Sequence, residues 1–489
     1  MIPSAAARYA RRSPRLLGAL LCLALAVQAA PAAASSTRWV GINDLSSVSG
    51  AIPAGTAAQL AANEGANSTR LVIDWSWIEP QKGVYHWGAI DAVYGAELAR
   101  GLRPLIGITG APRWAWDATA TCLPLTYCPY PPGRTHYADY QDMIRQLTGR
   151  YPQAVALEIG NEPNLSWAWA GGLDPARYTQ LVKLAYTAVK SVNPAMPVIA
   201  GGLAPVLSDT TSRDAIGLRP FLQAMYDNGI RGYMDGISIH PYPGATDFSK
   251  SFKALSLTEE TRTVNGDTVP LWLTEFGMTT TGTQAFSEYQ QGITLPALET
   301  AFLADPDVHA VYVHTLRDDP TNSDSAERGY GLLHANLTPK PAYCGLAAAN
   351  SSAWACPASA PTASLSATQS KRWAAQVLLQ EAADAARRVH VARGAYRTLT
   401  AADLHAVDPR ISATAADPAL APGAAASPDR IGVYPGQSGQ DWLTLCNTSQ
   451  ADRSYCISTV WHGAWAYGSA AANINTAAGA TIKGTSASW

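Results

Sequence analysis

The chain has 489 residues, 47% of them hydrophobic and 15% charged, a balance that excludes a disordered chain and allows a large core. Its formal net charge of −2 gives no electrostatic reason to expect nucleic acid or an acidic membrane surface as a partner. The length suits one barrel-sized domain of roughly 250–350 residues plus a smaller one. The marked excess is aromatic, with 15 Trp and 21 Tyr against 6 Phe. Such side chains carry an apolar face and a polar tip, which suits large cores and surfaces that hold polar rings alike.

Residues 1–34 read as a signal peptide. Arg8, Arg11, Arg12 and Arg15 precede the apolar run Leu16 to Val27, and Ala32-Ala33-Ala34 supplies a small-residue cleavage site. The run is too short to span a bilayer, so the expectation is an exported, extracellular protein with no integral membrane span once the segment is removed. Cys22 lies inside that run. Of 7 cysteines, the others are Cys122, Cys128, Cys344, Cys356, Cys446 and Cys456. An even number in an exported chain points to disulfides, with fifteen possible connectivities. Pairing of neighbours is favoured: Cys122–Cys128, Cys344–Cys356 and Cys446–Cys456. A zinc site is the competing reading, but the spacings are irregular and no His pair lies nearby.

From there short β-branched runs alternate with amphipathic stretches. Strands are expected at Trp39 to Asn43, Ser68 to Ile73, Arg103 to Ile108, Ala156 to Gly160, Pro197 to Gly201, Gly236 to His240, Leu271 to Glu275 and Val311 to His314. The clearest helix starts at Asp174-Pro175, an N-cap followed by proline at the first helical position, and runs to about Ser191. Eight βα units predict a closed (β/α)8 TIM barrel over residues 35–356. A doubly wound open sheet would want a Gly-rich loop after the first strand, and Val40-Gly41-Ile42-Asn43-Asp44 has none. Residues 357–370, rich in Pro, Ala, Ser and Thr, read as a linker. Residues 371–489 read as a small α+β domain. It has a helix from Lys371 to about Arg393, with Leu378, Ala382, Ala385 and Val389 on its apolar face, and strands at Ile431 to Tyr434, Trp442 to Cys446 and Tyr455 to Val460.

Two acids stand where chemistry is expected. Leu157-Glu158-Ile159-Gly160-Asn161-Glu162-Pro163 puts Glu162 just past the fourth strand. Leu271-Trp272-Leu273-Thr274-Glu275-Phe276-Gly277 puts Glu275 at the end of the seventh. Strand ends point to the face of a β/α barrel where catalysis occurs. Carboxyl groups about 5–5.5 Å apart would serve a retaining glycosidase, and a separation near roughly 8 Å an inverting one. A lone Glu at a strand end is usually solvated or salt-bridged; it is the pair, on these strands, that carries the signal.

Asn161-Glu162-Pro163 and Thr274-Glu275-Phe276-Gly277 resemble the acid/base and nucleophile motifs of the clan A glycoside hydrolases, families 39 and 5 above all. The resemblance covers roughly Trp39 to Tyr343. It implies a hydrolase of β-glycosidic bonds in oligo- or polysaccharides, with Glu162 as acid/base, Glu275 as nucleophile and a carbohydrate substrate. It further implies that Arg70 holds the nucleophile ionised, that Asn161 hydrogen-bonds the sugar 2-hydroxyl, and that His240 and Tyr242 support the nucleophile. Glu79 is read as structural. The Trp that many such enzymes carry at the end of the eighth strand is missing from Tyr312-Val313-His314-Thr315-Leu316-Arg317, so His314 or Arg317 is expected in its place. Trp75, Trp77, Trp114, Trp116, Trp167 and Trp169 follow three consecutive strands. They are expected towards the catalytic face, about half of them lining a groove that takes sugar rings and the rest packing loops. No His-Glu-x-x-His and no acidic calcium loop occurs, and the reaction needs no cofactor.

The last 120 residues or so weakly resemble the soluble heads of pilin-like proteins, through the helix, Tyr396-Arg397-Thr398-Leu399-Thr400, Cys446, Tyr455-Cys456 and Tyr467-Gly468. Trp442, Trp461, Trp465 and Trp489 leave a carbohydrate-binding module or a stabilising appendage open. Two other functions stay beside hydrolysis: an inactive glycan-binding or surface-attachment protein, and a transglycosylase that shares the covalent intermediate.

Overall fold

A computed structural model describes residues 38–357 apart from 45–48, 121–127, 245–248 and 284. Beyond them it describes residues 382, 386, 389, 399 and 402–404 and four strands between 432 and 470. The expected signal peptide, most of the expected linker, and Cys122 lie outside the described residues.

Eight parallel strands close a barrel in chain order: β1 (Trp39–Asn43), β2 (Ser68–Asp74), β3 (Arg103–Thr109), β4 (Ala156–Ile159), β5 (Val198–Leu203), β6 (Gly236–Ile239), β7 (Leu271–Phe276) and β8 (Val308–Val313). Closure is made by β8 against β1, with Trp39 opposite Ala310 and Ile42 opposite Val313. The fold is the (β/α)8 TIM barrel. Strands in such a barrel are covered on both faces and read as near-continuous apolar runs. β5 and β6 are accordingly buried at every position.

Around the barrel run α1 (Ala54–Glu64), the single turn α2 (Trp75–Ile78), α3 (Gly88–Leu98), α4 (Tyr137–Arg150), α5 (Pro175–Val192), α6 (Leu218–Asp227), α7 (Ser249–Val264), α8 (Glu288–Ala304) and α9 (Pro341–Ala349). α5 begins as its sequence requires, the Asp174 carboxylate accepting from the Arg177 amide with Pro175 in the first turn. α8 opens on a capping box, Ser287 with Gln290. α9 is tied back to the start of the barrel by the Tyr343 hydroxyl, which donates to the Leu60 carbonyl at 2.7 Å. Cys344 of α9 is joined to Cys356, Cα–Cα 5.6 Å, as expected. Cys128 is also disulfide-bonded.

Among the described residues apolar side chains of the barrel domain form a large cluster and a smaller one. The large one joins strands to helices and includes Ile73, Ile106, Leu157, Val182, Phe221 and Phe302. The other draws its buried members from the strands and the residue just before β4: Leu105, Val155, Ala156, Ile199, Trp272, Ala310 and Tyr312. That second cluster belongs to the inside of the barrel, because no helix contributes to it.

Near the carboxyl end the described residues hold a four-stranded antiparallel sheet of order β12-β11-β10-β9: β9 (Gly432–Pro435), β10 (Leu443–Thr448), β11 (Ser454–Thr459) and β12 (Trp465–Ala470). Cys446 and Cys456 are register partners across β10 and β11. β12 was not expected, because Trp465-Ala466-Tyr467-Gly468-Ser469-Ala470 mixes aromatic with small residues and lacks β-branched ones. Ala382 and Val389 of the expected helix are helical and buried. Among the described residues no helix is long and apolar enough to cross a membrane.

Candidate active site

The site is assembled around one guanidinium. Arg70, in the middle of β2, is fully buried. Its Nη1 donates to Glu275 Oε1 at 2.6 Å and to Asn43 Oδ1 at 3.1 Å. Nη2 donates to Asn161 Oδ1 at 2.9 Å, and Nε to Glu158 Oε2 at 2.6 Å. The planar fork of arginine lets one side chain hold β1, β4 and β7 together. Burial disfavours the charged guanidinium, but the charges of Glu158 and Glu275 outweigh it and keep Arg70 firmly protonated.

Glu275 lies within β7, and its side chain is 14% exposed. The Tyr242 hydroxyl donates to its Oε2 at 2.6 Å. Burial pushes this carboxyl up. The charges of His240, Arg70 and His314 and the Tyr242 hydrogen bond reverse the effect and hold it well below the ordinary carboxylate range. Burial, followed by the Glu275 charge, drives the Tyr242 hydroxyl far above its ordinary value, so it remains a donor.

Glu162 is positioned by a break in regular structure. β4 ends at Ile159. Gly160 turns the chain at φ 89°, where a Cβ would stand 3.1 Å from the Tyr178 ring, so only glycine fits. Glu162 itself has φ 47°. Left-handed backbone at a non-glycine residue is costly and must be imposed by its surroundings. Here the Glu162 amide donates to the Gly202 carbonyl at 2.9 Å. Asn164 then locks the following loop, donating to the carbonyls of Ala204 and Ile216 at 3.1 Å each and accepting from the Ala204 amide at 2.9 Å.

His240, just past β6, is fully buried between the two acids. Its Nδ1 is 2.9 Å from Glu162 Oε1 and 3.5 Å from Glu275 Oε2. A nitrogen that meets two carboxylates carries its proton there. One donor atom each from Glu162, His240 and Glu275 lie within 4.8 Å of one another.

His314 closes the eighth side. Its Nε2 is 3.3 Å from Glu327 Oε2. Burial lowers its proton affinity, but Glu327 and Glu275 raise it further, so its net shift is upward. Its ring meets Tyr330 and Tyr242 edge-on, at centroid distances of 5.2 and 6.2 Å. Arg317 does not share that place: its Nε donates to the Ala335 carbonyl.

The six tryptophans divide. Trp77 and Trp167 are 56% and 55% exposed. Trp75 and Trp169 are buried, so neither is a free surface for a sugar ring. Trp75 donates its indole N–H to Glu79 Oε2 at 2.8 Å and packs edge-on against Trp114. Trp114 and Trp116 are half-buried, with their N–H groups spent on the carbonyls of Glu79 and Ala111. Glu79, buried, also accepts from the Gly83 amide at 2.7 Å, which is the structural role its sequence context suggested.

Sequence reasoning missed Glu158, Asn43, Thr274, Glu327 and Tyr330. Glu158 had a signal: an acid in the middle of the apolar strand Leu157-Glu158-Ile159 must face the barrel interior or be paired. Tyr330 and Glu327 had none, because they arrive on a loop well past β8.

Two groups of described residues have donor spacing suited to a cation. In the Glu162–His240–Glu275 trio, Arg70 already supplies the positive charge. In Glu259–Asp305–Asp307, on the outer layer, Arg262 Nη2 donates to Asp307 at 2.5 Å.

Comparison with known proteins agrees with the motifs. The family model described as "Cellulase (glycosyl hydrolase family 5)" matches residues 32–305, more than half of the chain. None of the curated proteins matches. Among solved structures, a GH5_18 protein variant from Streptomyces cattleya in complex with Manβ1-4GlcNAc superposes with TM-score 0.52 at 16% identity, over 73% of this chain and 97% of that one. The GH5_18 protein of the same organism in complex with GlcNAc gives TM-score 0.51 at 16% identity, over 66% and 82%. A family 39 glycoside hydrolase from Bacteroides cellulosilyticus WH2 gives TM-score 0.49 at 16% identity, over 86% and 70%. At such identities the likeness is one of fold.

Proposed function

The chain belongs to the cellulase family, glycosyl hydrolase family 5, and from that premise we propose that this clan A glycoside hydrolase cleaves β-linked oligo- or polysaccharides with retention, outside the cell. The observation that carries the retaining reading is the closeness of the two acids, whose nearest oxygens fall within 4.8 Å. So short an approach supports the roughly 5–5.5 Å spacing of a retaining pair over the roughly 6.5–9.5 Å at which an inverting enzyme holds a water between its carboxyl groups.

In the first step a Glu275 oxygen bonds to the anomeric carbon. The bond from that carbon to the leaving oxygen breaks, its electron pair stays on the oxygen, and Glu162 supplies the proton. In the second step Glu162, now a carboxylate, takes a proton from water. The water oxygen bonds to the anomeric carbon and the Glu275 ester opens. His240, with its Nδ1 proton shared towards both acids, keeps Glu162 oriented through both proton transfers. Asn161, held by Arg70, would hydrogen-bond the sugar 2-hydroxyl. A sugar acceptor in place of water would make the same site a transglycosylase.

Purified protein and its Glu275→Gln variant are to be screened on β-glucans, β-mannans, β-xylans, N-acetylglucosamine-containing β-mannosides and aryl β-glycosides. Sugar release by the native protein alone, with a first product of β configuration by NMR, is the expected result. An α product would overturn retention. Binding without turnover would favour a glycan-binding role. Export is tested by recovering the protein from culture medium with its first residue near position 35.

A further inference from the structure

We propose that Glu158 acts through Arg70 to set the balance between forming and breaking the glycosyl–enzyme, by remaining the counter-charge of the guanidinium when Glu275 has become an ester. This rests on the retaining reading above.

The geometry is specific. Glu158 sits on β4, fully buried. Its Oε2 accepts a hydrogen bond from Arg70 Nε at 2.6 Å, and its Oε1 accepts from the Thr274 hydroxyl at 2.8 Å. Two glycines line it closely: a Cβ on Gly107 would reach contact distance of Oε2, and one on Gly202 of Oε1, each at 3.4 Å. Thus one guanidinium serves two carboxylates at the same 2.6 Å, one in the cleft and one sealed beneath it. Thr274, which steadies the sealed one, immediately precedes the nucleophile.

The cycle changes only one of these charges. Glu275 is an anion in the free enzyme, is neutral as the ester once its oxygen is bonded to the anomeric carbon, and is an anion again after water has opened it. Arg70 is sealed and cannot turn to solvent, and a buried cation without a partner is costly. Glu158 spares Arg70 that state. It also divides the pull of the guanidinium, so that Glu275 is not held too tightly as an anion to attack. Without the Glu158 charge the anion of Glu275 gains and the ester loses: attack slows and ester opening quickens.

The test uses a 2,4-dinitrophenyl 2-deoxy-2-fluoro-β-glycoside of whichever sugar the native protein turns over. Inactivation gives the rate of attack, and recovery after removal of excess reagent gives the rate of ester opening. For Glu158→Gln, attack should fall by about tenfold and recovery should rise by about tenfold, a tenfold change corresponding to one pKa unit of differential interaction. Glu158→Asp, which keeps the charge but draws it back, should show the same opposed changes at about two- to threefold, and it carries the test alone if the Gln variant does not fold. Both rates falling together, or neither changing, would overturn the proposal, because a loosened site slows both steps. Failure of the reagent to label native protein at Glu275 would sink the retaining mechanism instead, so the two failures are separable.

Discussion

Glu275 at the barrel mouth, its side chain 14% exposed, and Glu299 on α8, buried, are both glutamates withdrawn from water, and they are driven in opposite directions. Glu275 faces Arg70 and two histidines and is held ionised against its own burial. Glu299 faces Glu64 on α1, with Asn350, just past α9, donating to Glu64 at 2.9 Å. Burial, with no cation beside it, pushes Glu299 up to about 8. Glu64 is raised well above its ordinary value by burial and then by Glu299. The contrast teaches that burial alone neutralises a carboxyl. An ionised, largely buried carboxylate marks a place where the fold has set a cation against it, and here that place is the end of the barrel that holds the proposed site.

The strongest way to break this comparison is to remove the cation. Arg70→Met leaves Glu158 and Glu275 facing each other with no guanidinium between them. Stripping one partner from a buried pair costs about 3–5 kcal/mol. The loss is expected in both the melting temperature and kcat/KM, the latter by roughly a hundredfold to a thousandfold. Glu275 should then behave more like Glu299. Its acid limb in the pH profile should move upward, because burial would no longer be fully offset. A variant with native activity and an unmoved acid limb would show that His240 and His314 suffice.

The next effect is in stability on the other side of the comparison. The folded-state pKa of Glu299, about 8, lies above its ordinary 4.5. Its contribution is therefore complete below 4.5 and is lost as pH rises towards 8. Glu299→Gln keeps the shape of the protonated form and also relieves Glu64. Thermal unfolding of the variant should match the native protein near the lower limit and exceed it by several degrees near the upper one. Melting curves that stay parallel across that window would show that the pair is not protonated in the fold.

Much of the barrel could be read from the chain, for a physical reason. Its strands are short apolar runs cut off by Gly, Pro and polar residues, so β1 falls where expected and β2, β3 and β7 differ by one residue at their ends. β8 begins earlier, at Val308, since Asp305-Pro306-Asp307 reads as a turn and hides the start of the strand. Among site residues, those ending strands could be located. Tyr330 and Glu327 could not, because no periodicity says where a long loop returns. The tryptophan pair of α2 shows another limit. Trp75 and Trp77 look alike in sequence, but positions two apart on a helical turn point to opposite sides, and so one is core and the other solvent-facing.

Glu97 sharpens the comparison with the smallest effect. It lies on α3, fully buried, and burial pushes it up to about 8, with Thr69 lowering it somewhat and Asp44 raising it. Unlike Glu299 it has no second glutamate sharing its fate, so Glu97→Gln reports chiefly on burial, the first of its causes, with Thr69 and Asp44 acting in opposite directions. Its contribution has the same sign: present in full below 4.5 and lost on the way to 8. The variant should flatten the fall of melting temperature over that window by about 1–2 °C, because a change near 1 kcal/mol shifts a domain longer than roughly 250 residues by less than the roughly 2–4 °C seen at 150–250 residues. Activity should be unchanged, because Glu97 touches neither Arg70 nor either acid. A flattening as large as that of Glu299→Gln would mean that charge repulsion between Glu64 and Glu299 adds nothing, and that burial accounts for the whole upward shift of Glu299.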